Sequence, residues 1–204
     1  AGRTIVDLGS IRAQEQSICR GSYVHVGAPV ALAPPFAFEV WCRVLAAGRL
    51  AGIWCQHGAY LAIGKDKDLF CGLLEARGWK KLRGPVLSLQ CWHHLVVQCD
   101  GEEAELFVDG TLVGRVPINF FVEPAAAPLR LGALANKLGE AAHLLTGDLC
   151  SPTLYKRRLP GQEISERFQQ RDLEPAAGYV GHWKFDALGG QPYRDISPSG
   201  RHGK

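Results

Sequence analysis

The sequence predicts an all-β chain, a sandwich of two antiparallel sheets with one short C-terminal helix, and three observations carry that reading. Between residues 91 and 117 a strand-length alternation runs into Asp100-Gly101, then an apolar run, Asp109-Gly110 and a returning run, which is the pattern of an antiparallel meander. In Phe36–Val44 every even position is apolar while Ala37, Glu39, Trp41 and Arg43 occupy the odd ones, as in a strand with its even face in a core between sheets. Only residues 160–171 have helical spacing, with Ile164 and Phe168 four apart and Pro160 suited to the first turn.

The remaining elements follow in order. Residues 1–16 lack a clear period and read as one edge strand with a loop behind it; residues 22–26 form a short strand, and 27–35, with three prolines, a connector. Three short strands are expected at 50–56, 59–63 and 68–75, separated by His57-Gly58 and by the charged turn Gly64-Lys65-Asp66-Lys67. Residues 78–83 are a basic loop or edge bearing Trp79, and 86–89 lead into the meander. Its strands are 92–99, 104–109 and 112–116; Asp109 and Gly110 supply the positive φ angles of a tight hairpin. Two prolines and three alanines make 118–128 a crossing loop, and the last strands fall at 129–134 and 143–155.

Composition narrows the class. A chain of 204 residues, 47% hydrophobic and 21% charged, fits one sandwich domain. No apolar run is long enough for a membrane helix. With 23 basic against 20 acidic residues, the net charge of +3 argues against nucleic acid or an anionic membrane as partner. Seven cysteines without CxxC spacing point to reduced thiols and a cytoplasmic setting rather than zinc or a disulfide framework. Cys42 and Cys55 are the pair that could face each other, if their strands form a hairpin about Gly48 and Arg49. The absence of methionine suggests a segment of a longer chain.

The series Trp92-His93-His94, Asp100-Gly101 and Asp109-Gly110, with Gly147-Asp148-Leu149 to Leu159 and Gln162-Glu163-Ile164, resembles the laminin-G-like jelly roll of concanavalin A type. It departs at Cys150, where such a closing strand commonly carries an acidic residue, so no role of that carboxylate is carried over. The tail, Gly181-His182-Trp183-Lys184-Phe185-Asp186, Arg194-Asp195-Ile196-Ser197 and Gly200-Arg201-His202-Gly203, resembles the junction after such a domain in the N,N-dimethylformamidase large-subunit family. Residues 1–172 are therefore read as the sandwich and 173–204 as a linker and the start of a following segment packed on it. For the parent, the resemblance implies hydrolysis of a formamide C–N bond at a mononuclear iron held in a later domain, outside this chain. The expected role is that of a non-catalytic accessory domain whose partners are the rest of the parent chain and its subunits.

The residues themselves leave two other readings open. Trp41, Trp54, Trp79 and Trp92, with Tyr60 and with His94 as a polar neighbour, could stack against sugar rings as in a lectin-like module, or could simply pack. Trp41, opposite the core face of its strand, is expected to be the exposed one. Asp66, Asp68, Asp100 and Asp109 lie at turns, where oxygen ligands hold calcium in interaction domains and where Asp also serves turn geometry unaided. His93 and His94 point to opposite faces and cannot share one metal or substrate. There is no phosphate loop, no G-x-S-x-G elbow and no glycosidase-like pair of carboxylates, so no catalytic residue is expected.

Overall fold

Alternating side chains with Gly-containing turns produce strands throughout the chain, which a computed structural model describes at residues 3–4, 15–16, 23–27, 32–121, 128–185 and 193–203. In order these are β1 (Arg3–Thr4), β2 (Glu15–Gln16), β3 (Val24–Val26), β4 (Phe36–Val44), β5 (Ala51–Gln56), β6 (Ala59–Ile63), β7 (Asp68–Glu75), β8 (Gly78–Val86), β9 (Trp92–Cys99), β10 (Glu103–Val108), β11 (Thr111–Pro117), β12 (Leu129–Leu131), β13 (Leu134–Ala135), β14 (Ala141–Ala142), β15 (Gly147–Tyr155), α1 (Gly161–Gln170), β16 (Tyr179–Lys184) and β17 (Arg194–Asp195). Two large antiparallel sheets result, one ordered β11-β10-β9-β4-β15-β16-β17 and the other β3-β12-β5-β6-β7-β8. The meander forms as expected: Asp109 and Gly110 have φ of +51° and +76°, and Asp100 accepts the Glu102 and Glu103 amides.

The inner faces make one core. Phe36, Phe38, Val40, Cys42 and Val44 of β4 meet Ile53, Trp54, Leu61, Ile63, Leu69 and Leu73 of the facing sheet, with Phe38 stacked on Trp54 at 4.5 Å. Cys42 and Cys55 therefore lie in different sheets instead of across one hairpin, and both are free thiols. Burial raises both thiols above the ordinary range, so neither is a ready nucleophile.

The outer face of the seven-stranded sheet is buried too, which corrects the expected exposure of Trp41. Helix α1 and the chain after it lie over this face, leaving Trp41 only 5% exposed, stacked against Phe168 at 6.0 Å and tilted by 38° against His94 at 5.0 Å. Beneath the helix Glu39 collects four donors: His94 Nε2 and Arg167 Nε on Oε1, both at 2.7 Å, and Tyr155 Oη at 2.7 Å and Arg167 Nη2 at 2.9 Å on Oε2. Arg167 is thus the polar anchor of a helix whose apolar anchor is Ile164. Pro160 is the N-cap rather than the first helical residue.

Both open edges of the sandwich are sealed. On one side β8, read as a loop or edge, is an edge strand, and Gly114 of β11 approaches it so closely that a Cβ there would sit 2.8 Å from Leu82. On the other, the stretch read as a linker and following segment returns into the same sandwich. There β16 pairs with β15 and β17 with β16; Trp183 enters the core; and Gly203 bridges to Val26 of the facing sheet. Part of the expected crossing loop, 122–127, lies outside the described residues, as do residues 5–14; 118–121 hold no strand beyond an isolated bridge at Phe120.

Candidate ligand-binding face

Among the described residues, no helix lies over the outer face of the six-stranded sheet. The register places a lateral row there, Arg130 opposite Cys55, Cys55 opposite Tyr60, Tyr60 opposite Gly72 and Gly72 opposite Lys81. Directly opposed residues share a face, so this row crosses β12, β5, β6, β7 and β8 on one side. Beside it run Ala62, Phe70 and Arg83, and then Leu74 and Trp79.

Glycine shapes the floor. A Cβ on Gly72 would lie 2.2 Å from the Tyr60 ring, so only a missing side chain lets that ring lie across β7. Tyr60 then meets Trp79 at 5.1 Å, tilted by 53°, and Phe70 edge-on at 6.0 Å; Lys81 Nζ lies 5.1 Å over the Phe70 ring. Trp79 is 51% exposed. Burial raises the Tyr60 phenol, which stays protonated and able to donate at neutral pH.

A wall stands at the other end. At Gly52 a Cβ would come within 2.5 Å of the Ala133 carbonyl carbon and the Leu134 nitrogen, so the β13–β14 hairpin lies directly on β5. Leu134 packs with Cys55, Ala62 and Phe70. The turn is held by Asn136, whose Oδ1 accepts the Leu138 and Glu140 amides, and Leu138 at its tip is 82% exposed.

The aromatic residues singled out from sequence do not form one platform. Trp41 and His94 are together under the helix and Trp54 is in the core, all three buried. Trp92 sits on the other sheet with the Arg43 guanidinium 5.0 Å over its ring. Of the set, Trp79 and Tyr60 belong to the open face, where Phe70 and Lys81 join them. That grouping depends on the register of three consecutive strands. Spacing along any one of them does not display it.

The aspartates are likewise apart. Asp68 meets Arg83 at 3.4 Å, Asp100 meets Arg158 at 2.7 Å, and Asp109 takes His93 Nδ1 at 2.8 Å and the His94 amide at 2.9 Å. Asp66 is exposed in its turn. Among the described residues no three His, Cys, Asp or Glu side chains converge as a metal site would require. The hydrogen bond to Asp109 raises the pKa of His93 despite partial burial. This pair contributes stability below the unfolded value near 6.5 and loses it as pH rises through the higher folded value. His93→Gln is expected to flatten the decline in melting temperature above pH 6.5, an effect of at most about 1 kcal/mol for a partly exposed pair.

A separate cleft of about 480 Å³ lies between Phe107, Leu112, Arg115, Arg158 and Pro160. Its two arginines are already spent on Glu105.

Residues 20–165 match the family model described as the concanavalin A-like lectin/glucanases superfamily. No curated protein matches the chain in sequence. Among solved structures, the chain is similar to a presumed carbohydrate binding protein of Bacteroides ovatus, with a TM-score of 0.68 and 16% identity over 90% of this chain and 56% of that one. It is similar also to a pentraxin of Limulus polyphemus, at 0.61 and 14% over 75% and 78% of the two chains. A third is the CBM40 of the Ruminococcus gnavus IT-sialidase bound to α2,3-sialyllactose, at 0.61 and 13% over 73% and 93%. At these identities the likeness is one of fold. The chain spans little more than half of the Bacteroides ovatus protein.

Proposed function

Because the chain belongs to the concanavalin A-like lectin/glucanases superfamily, we propose that it is a carbohydrate-binding module holding a saccharide on the open face of its six-stranded sheet. The observation that carries this reading is the Tyr60–Trp79 pair. Two aromatic rings 5.1 Å apart, one of them half exposed, sit on a sheet with Lys81 alongside. An aromatic face gives apolar area to the C–H side of a sugar ring at small entropic cost, and neighbouring donors fix its hydroxyls. The fold neighbours support this, since the Ruminococcus gnavus module holds a sialylated sugar. An accessory role in an amidohydrolase draws no support from the family match or from these neighbours.

Isothermal titration against lactose, sialyllactose and a sulfated lactose tests the reading. Trp79→Ala is expected to weaken binding at least tenfold, about 1.4 kcal/mol. The half-exposed indole predicts little change in melting temperature. Binding of no sugar, or binding indifferent to both Trp79→Ala and Tyr60→Ala, would overturn it.

A further inference from the structure

The row that carries Tyr60 ends in a charge for which the described residues hold no counter-ion. Arg130 is 8% exposed, yet among the described residues no carboxylate pairs with it. Its Nη2 donates to the Gly139 carbonyl, and its Nε–H is buried with no acceptor. Arg43, Arg157, Arg158 and Arg167 each meet an Asp or Glu. Directly opposite Arg130 on β3 stands His25, whose Nδ1 is also buried without a partner. Taking a cation out of water without an anion is among the costliest arrangements a fold can keep, and a guanidinium matches the paired oxygens of a carboxylate or sulfate.

We propose that Arg130 reads an anionic group of the bound saccharide, so that the ligand is an acidic glycan bearing a carboxylate or a sulfate. The inference rests on the carbohydrate reading above and names its ligand class. Two strand spacings, about 10 Å, separate Arg130 from Tyr60 along the row. One oligosaccharide can therefore place its charged group at Arg130 and a ring against Tyr60 and Trp79. Turn 136–140 covers the guanidinium, and the ligand reaches its Nε edge when that turn moves aside and the Gly139 bond is given up. Lys81, at the far end of the row, adds a second cation to the same face.

The test titrates lactose, sialyllactose, a sulfated lactose, and sodium sulfate against sodium chloride at equal ionic strength. The proteins are the unaltered chain and Arg130→Met. The expected result is at least tenfold tighter binding of one acidic sugar than of lactose, with the gap abolished in Arg130→Met while lactose binding persists. Which sugar shows the gap separates carboxylate from sulfate. The unliganded Arg130→Met protein should melt no lower than the parent, since it loses a buried, unpaired charge. Equal binding of acidic and neutral sugars, or a gap that survives in Arg130→Met, overturns the inference and leaves the carbohydrate reading standing. If no sugar binds but sulfate raises the melting temperature of the parent and not of the variant, the anion site stands and the carbohydrate reading falls. Protection by none of these ligands overturns both.

Discussion

Trp183→Ala is expected to lower stability by about 3–5 kcal/mol, the range for removing a fully buried large aromatic side chain. For a chain of this size that is a fall in melting temperature of roughly 10 °C or more. Trp183 is fully buried, packs in the core between the sheets, and donates Nε1–H to the Arg201 carbonyl at 2.9 Å. Its ring lies so close over Gly181 that a Cβ there would be 2.5 Å away. The same side chain thus ties β16 to the turn that brings Gly203 back to β3. Around that turn, Asp195 accepts the His182, Ser197 and Arg201 amides and the Ser197 hydroxyl. A chain ended after residue 178 should not fold, because it leaves the β15 edge unpaired and the core open. Thermal unfolding followed by circular dichroism checks both; a loss under 1 kcal/mol for Trp183→Ala would return the tail to the status of an appendage.

Glu39→Gln should cost a comparable amount, about 3–5 kcal/mol, because it leaves the buried Arg167 guanidinium with only the exposed Asp172 carboxylate, at 3.4 Å. Burial alone would raise the Glu39 pKa, but hydrogen bonds and charge from His94 and Arg167 outweigh it and hold the carboxyl at about 2. A depressed carboxylate contributes stability above its unfolded value, near 4.5, that is lost as pH falls from there toward 2. The unaltered protein should therefore lose stability steeply over that window, and Glu39→Gln should titrate more shallowly there. In a double-mutant cycle with Arg167→Met, the combined loss should be well below the sum of the single losses. Additive losses would mean that the two groups do not act as a pair.

How much of this was legible in the sequence depended on whether a feature was local. Alternation in Phe36–Val44 and the two Asp-Gly turns are local, and they gave the core face of β4 and the meander directly. What covers the second face of a strand is not local. Ala37, Glu39 and Trp41 read as a solvent face because alternation reports two sides and says nothing of a helix docked on one, and Arg167 offered no signal beyond being a cation on a helix. The tail could have been found: Tyr60-like alternation is present in Tyr179–Lys184, where Gly181 and Trp183 share a side. Resemblance to an interdomain junction instead set it apart. The candidate face was the least legible, since Tyr60, Trp79 and Arg130 share a face only through the pairing of β12 with β5, β5 with β6, β6 with β7 and β7 with β8. Arg130 lies in a strand of three residues with no pattern to mark it.

The most direct test of the open face as the saccharide site follows the indole N–H signals of the five tryptophans by nuclear magnetic resonance during titration with sialyllactose and lactose. The account predicts that the Trp79 indole shifts with saturation while those of Trp54 and Trp183, buried in the core, stay in place. Saturable movement of Trp92 with Trp79 unmoved would put the sugar on the opposite sheet and contradict it.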